Sequence, residues 1–165
     1  MKKLFLLLVS SFLIFSSCTN EKPQRLSLND NGYYFTVNID GVPHSFNDKM
    51  SIKSTVSVSN ILNGYNKNDK SRITLGLNLK NNETGTFNLE NDITLAYRDK
   101  IDFKGKTISY IWHAKKKVLT SSAIITISKN TTTYLEGTFS FTGVGSTKID
   151  TSIKKFTQGK FKIKK

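Results

Sequence analysis

Cysteine is nearly absent: Cys18 stands alone in 165 residues. No disulfide can form within the chain, and no thiolate-based zinc site can be assembled. Histidine is almost as scarce, with only His44 and His113. A zinc site needs three or four ligands within tetrahedral reach, and two distant histidines do not supply one. No metal or other cofactor is therefore expected. No serine sits in a Gly-x-Ser-x-Gly context, so the nucleophile elbow is missing. Gly143-Val144-Gly145 is not followed by the helix signal of a phosphate-binding loop. The acidic pairs Glu90/Asp92 and Asp99/Asp102 read as solvated turn residues rather than as acid–base machinery. No apolar run reaches the ~20 residues that a membrane-spanning helix requires. Arginine is the rare cation, 3 of the 25 basic residues against 22 lysines. Arginine is the better partner for bidentate phosphate recognition, so nucleic acid is not an expected partner despite a formal charge of +13. These absences leave a chain without a visible catalytic constellation.

What is present begins at the N-terminus. Lys2 and Lys3 precede Leu4–Phe15, an uncharged stretch interrupted only by Ser10 and Ser11. As a helix that stretch would reach about 18 Å, at roughly 1.5 Å per residue. This is short of a hydrocarbon core of about 30 Å and fits the apolar region of an export signal. Phe15-Ser16-Ser17-Cys18 resembles a bacterial lipobox. The resemblance implies lipidation of the Cys18 sulfur and cleavage before it, with Met1–Ser17 as the signal peptide. An exported chain with one unpaired cysteine needs a use for it, and acyl chains at Cys18 anchor stably when two or more are present. Thr19–Asn31, with Pro23 and little apolar content, then reads as a flexible tether. The expected address is the cell envelope, lipid-anchored at the outer membrane.

Residues 32–165 read as a single β domain. Period-two alternation runs through almost all of it, with no helical stripe. Tyr33, Phe35, Val37 and Ile39 alternate with Tyr34, Thr36 and Asn38. Asp40-Gly41 follows, a dipeptide suited to a type I′ hairpin because both positions accept positive φ. Pro43 in the return strand fits a sheet edge, since it cannot donate to a ladder. Ser51–Tyr65 holds a further strand, with Val56 and Val58 on one face and Ile61 beyond, and Ile73, Leu75, Leu77 and Leu79 make the cleanest alternation. Arg98–Lys106 is charged and aperiodic and reads as a long loop. Ile108, Tyr110 and Trp112 share a face, after which Lys115–Lys117 break the pattern. Gly137, among Leu135, Phe139 and Phe141, suggests a bulge or close packing under a ring. An irregularity is expected at Gln158-Gly159. Lys160, Lys162, Lys164 and Lys165 read as solvated edge-strand lysines that oppose aggregation. About nine or ten short strands punctuated by turns predict an all-β fold, an antiparallel meander forming a β-sandwich or flattened barrel.

Four stretches carry a family resemblance: Phe35-Thr36-Val37-Asn38-Ile39-Asp40-Gly41, Gly85-Thr86-Phe87-Asn88-Leu89, Leu135-Glu136-Gly137-Thr138-Phe139-Ser140-Phe141-Thr142-Gly143 and Thr157-Gln158-Gly159-Lys160-Phe161. With them the chain resembles a family of small Bacteroidota lipoproteins. The resemblance implies an exported, lipid-anchored β domain and supplies no activity.

Aromatic residues are the remaining lead to a site. Tyr33, Tyr110 and Trp112 are the candidate ligand-binding residues, as a stacking platform or apolar lining, with core packing as the competing use. Tyr33 and Tyr34 must face opposite ways if both lie in the strand. The expectation is a non-enzymatic module that binds a ligand, or a protein or glycan partner, in the cell envelope. The alternative is a structural or accessory subunit of an outer-membrane assembly. An apolar cavity of several hundred Å³ would favour a ligand, and one exposed apolar patch would favour a protein partner.

Overall fold

The computed structural model describes residues 32–55, 60–91, 93–103, 105–114, 116, 120–146 and 151–165, with the backbone alone at 101–103. The expected signal Met1–Ser17, Cys18 and the tether Thr19–Asn31 lie outside these residues, as do Val56, Val58, Asp92, Lys115 and Lys117. The alternating stretches become eleven strands among the described residues: β1 Tyr34–Ile39, β2 Val42–Ser45, β3 Lys49–Lys53, β4 Asn60–Tyr65, β5 Arg72–Leu77, β6 Gly85–Asn88, β7 Thr94–Phe103, β8 Lys106–His113, β9 Ser122–Asn130, β10 Tyr134–Gly145 and β11 Ile153–Lys164. A 3-10 turn at Leu89–Asn91 is the one helical element among them.

All eleven strands belong to one antiparallel sheet with a main path β2-β1-β11-β10-β8-β7-β5-β4-β3. Strand β10 is where this sheet divides. Along Leu135–Thr142 its edge pairs with β9, which carries β6 on its far side. At Val144 and Gly145 the same edge pairs with β8 instead. The sheet folds over itself, sandwich-like, so that the inner faces of both halves meet. It is not closed as a barrel. The path ends at β2 and β3, and the segment between them spans the gap with single bonds. Phe46 donates its N–H to the Phe35 carbonyl at 2.8 Å and accepts from the Tyr65 N–H at 3.2 Å.

Local chemistry explains much of this geometry. Asp40 and Gly41 have φ of 51° and 85°, the positive pair that a two-residue type I′ turn demands. Pro43 lies on β2, the end of the path, where its missing N–H costs no ladder bond. Gln158 has φ 54° and inserts one extra residue into β11. Phe139 and Phe141 face Gly159 and Phe156 across one ladder, and the register shifts again against β1. The expected irregularity is thus a β-bulge read by both neighbours. Gly137 combines both readings of a strand glycine. The β9–β10 register shifts there, and an added Cβ would meet the Thr126 carbonyl oxygen and come 2.9 Å from Phe161 Cζ.

Three expectations need correction. Arg98–Lys106 is not a long loop but the body of the β7–β8 hairpin, paired from Arg98/Ile111 to Phe103/Lys106. Backbone bonding satisfied by a neighbouring strand does not require an apolar period, so residues 98–106 left no hydrophobic signature. The C-terminal lysines do not guard an edge. Strand β11 lies between β1 and β10, and Lys160 and Lys164 are exposed on its outer face. Ser51–Tyr65 is not one strand: Lys49–Lys53 and Asn60–Tyr65 are two strands paired antiparallel, from Lys49/Tyr65 to Lys53/Ile61. Pairing of β1 with β11 brings the two ends of the domain together.

The core is a single cluster built mainly from rings. Phe35, Phe46, Phe156 and Phe161 are fully buried with Leu62, Ile73, Leu75, Leu77 and Leu95. Phe141 and Phe156 stack with centroids 3.9 Å apart, and Phe46 meets the Tyr97 ring edge-on at 6.2 Å. Buried rings of this size each contribute about 1.5–3 kcal/mol by area, with a further ~0.5–1.5 kcal/mol per well-placed aromatic pair. The interlocked rings therefore fix how the two halves of the sheet stack.

Candidate functional site

The core consumes one of the expected aromatic leads. Trp112 is 3% exposed, and its indole Nε1 donates to Ser152 Oγ at 3.0 Å. Tyr110 stacks beside it with centroids 6.1 Å apart and is half-buried, while Lys154 Nζ caps the indole ring at 4.9 Å. Tyr33 lies at the other end of the sheet. It precedes Tyr34, which pairs with Lys162 and through it with Glu136, whereas Trp112 pairs with Gly145. Glu136 and Gly145 are nine residues apart on β10, about 30 Å at roughly 3.3 Å per residue. The structure therefore joins Tyr110 to Trp112 and does not bring Tyr33 to them.

His44 is half-buried and stacks on Phe46 at 6.4 Å. His113 lies on β8 between Ala96 and Val144. Among the described residues, no group of three or more His, Cys, Asp and Glu is placed to hold a metal ion.

The most chemically distinctive surface lies on the outer face of β3, β4 and β5. Met50, Ile52, Leu62, Ile73 and Leu75 turn toward the core. Alternation then sends Lys49, Ser51 and Lys53 of β3, Ile61, Asn63 and Tyr65 of β4, and Arg72 and Thr74 of β5 outward. Six of these, Lys49, Ser51, Lys53, Asn63, Tyr65 and Arg72, line an open groove of about 430 Å³. Register aligns them into rows across the strands. Lys49 pairs with Tyr65, Tyr65 with Arg72, and Arg72 with Arg98 on β7. The next row runs Ser51, Asn63, Thr74. Thr74 Oγ1 donates to Asn63 Oδ1 at 3.0 Å, and Asn63 Nδ2 reaches the Ile61 carbonyl at 3.4 Å.

The electrostatics of this face are one-sided. Lys49, Lys53, Arg72 and Arg98 project from it, and among the described residues none forms an ion pair with a carboxylate. Asp48, next to Lys49, is committed elsewhere: it lies 3.7 Å from Lys67 Nζ and accepts from the Lys67 N–H at 2.8 Å. Asp99, beside Arg98, alternates to the inner side of β7. There burial, followed by the charges of Asp99 and Asp69, holds the Tyr97 phenol well above its ordinary pKa. The buried Ser71 side chain acts in the other direction. Two of the three arginines in the chain thus stand side by side, and among the described residues neither has a carboxylate in ion-pair reach.

A second concavity, of about 500 Å³, opens on the outer face of β9–β11 beside the bulge, lined by Ile124, Thr138, Ser140, Gln158 and Lys160. Its lining combines two hydroxyls, an amide and a lysine with the exposed side chain of Ile124. Next to it Thr86 and Thr126 share a hydroxyl hydrogen bond of 3.0 Å. Neither concavity was visible as a sequence motif. The groove residues come from three strands spread over residues 49–72, and only the β3–β4–β5 register assembles them. The sequence signal they do leave is alternation of Lys, Ser and Lys opposite Met and Ile in β3.

No family model, no curated protein and no solved structure matches the chain.

Proposed function

We propose that the protein is a lipid-anchored, non-enzymatic binding module of the cell envelope, held at the outer membrane through Cys18. The lipobox resemblance at Phe15–Cys18 motivates the anchor, with Thr19–Asn31 as the tether. The observation that carries the binding role is the groove on β3–β5, where three cations that form no ion pair among the described residues, a tyrosine and an amide converge on one outer face. An accessory subunit of an assembly would be expected to expose a contiguous apolar patch. Among the described residues, the exposed large apolar side chains Val42, Ile108, Ile124 and Ile153 sit on four different strands, which favours a ligand at the groove.

The anchor is tested by expressing the full chain with Cys18→Ser and fractionating the cells. The variant is expected in the soluble fraction, with loss of metabolically incorporated palmitate. A variant that travels with the membrane as wild type does would remove Cys18 from the anchoring role.

A further inference from the structure

We infer that the groove on β3–β5 binds an acidic polysaccharide, its carboxylates meeting Lys49, Lys53 and Arg72 while a sugar ring lies on Tyr65. The inference rests on the proposed binding role and gives it a ligand class. The row Lys49, Tyr65, Arg72, Arg98 crosses four adjacent strands, about 14 Å at roughly 4.8 Å between neighbours. It sets one ring between two cations, with a further cation at its end: cation, aromatic, cation, cation. A chain of linked sugar acids has the complementary alternation, a carboxylate on each unit and a ring face between. The second row supplies hydroxyls and an amide. Asn63 uses its oxygen for Thr74 and one amide proton toward Ile61, which leaves its other amide proton for a ligand oxygen. Ser51 and Lys53 close the groove on the β3 side.

Two other polyanions fit less well. Stable docking on a bilayer combines basic charge with apolar side chains inserted below the headgroups. The groove is recessed, and none of Val42, Ile108, Ile124 or Ile153 lines it. Single-stranded nucleic acid is held by successive bases stacked on several rings, and among the described residues Tyr65 is the one ring in this lining. Opposite charge across an interface with no internal carboxylate to satisfy it favours a ligand that brings its own anions. The amide and hydroxyl row favours one that also carries hydroxyls.

The test uses the full chain purified in detergent and four probes: polygalacturonate, neutral dextran, phosphatidylglycerol vesicles and oligothymidylate. Polygalacturonate is expected to bind, dextran not, and binding is expected to weaken with added salt. The double variant Lys49→Glu/Arg72→Glu is expected to weaken polygalacturonate binding by about tenfold or more. Lys160→Glu/Lys164→Glu makes the same charge change on another face and is expected to stay within about twofold. Tyr65→Leu is expected to lower affinity while leaving the salt dependence unchanged. Circular dichroism on each variant confirms that the fold survives. Equal losses in both double variants would reduce the effect to net charge and overturn the site. No binding of polygalacturonate, or tighter binding of vesicles or oligothymidylate, would overturn the ligand class. Because the groove is measured on purified protein, these failures are separate from failure of the anchor, which shows only in cell fractionation with Cys18→Ser.

Discussion

Tyr97 is a titratable side chain set in the hydrophobic core, 3% exposed. Its ring is wedged between Phe46, Trp112 and Phe156, and its hydroxyl lies in the field of the Asp99 and Asp69 carboxylates. Burial first, and then the two carboxylates, oppose the phenolate, so the folded pKa lies well above the ordinary value near 10. The sign of the linkage follows. In the unfolded chain Tyr97 ionises near pH 10, while in the fold it stays neutral. Its contribution to stability is therefore whole below about pH 10 and is lost as pH rises from there toward the folded pKa. Urea midpoints measured from neutral to strongly alkaline pH should fall more steeply for wild type than for Tyr97→Phe. The difference should be at most about 1.4 kcal/mol per pH unit, the limit for one proton. Parallel curves would mean that Tyr97 titrates alike in both states. Asn130 illustrates a second residue-scale device. It is buried, and its amide clasps the Lys80 and Glu83 carbonyls at 3.1 and 2.9 Å, pinning that turn to the end of β9. A lone asparagine at a strand end carries no such signal in the sequence, because its partners lie 47 and 50 positions away.

At the scale of the element, β11 decides most. It carries Phe156 on one side of its bulge and Phe161 and Ile163 on the other, all buried. Without the extra residue, period two would place one of these groups outward. The bulge at Gln158 restores the phase, and Gln158 adopts positive φ to do so. Deleting Gln158 should therefore abolish cooperative folding, since either Phe156 or the pair Phe161/Ile163 must leave the core. Gln158→Gly keeps the residue count, suits the backbone and should fold. Far-UV circular dichroism and urea titration separate the two. A deletion variant with the wild-type midpoint would show that register is set elsewhere. The irregularity at Gln158-Gly159 was legible in the sequence because a polar residue and a glycine interrupt alternation between Phe156 and Phe161. The β7–β8 hairpin was not legible, because its distal half carries charged residues and its order comes from a partner strand rather than from a buried face.

At the scale of the whole molecule, the ends of the domain are its centre. Strand β11 is the last in sequence and lies between β1, the first, and β10. A chain ending at Ser152 would lose both of those ladders together with three buried core residues. Such a chain should show no cooperative unfolding transition. A truncated chain that melts sharply would mean the remaining strands fold without their central partner. The same long-range pairing explains the limits of the local reading. Alternation of apolar and polar residues determined that the chain is all-β, where most strands lie, and which side chains face inward, because that pattern is a property of consecutive residues. Asp40-Gly41 determined its hairpin for the same reason. Strand order, the division of the sheet at β10 and the placement of β11 in the interior came only from tertiary structure. Those depend on which ladders close across large sequence separations and on how the rings interlock. The groove belongs to this second class. Lys49, Tyr65 and Arg72 are unremarkable where they stand in the sequence, and become a charged row only when β3, β4 and β5 pair in register.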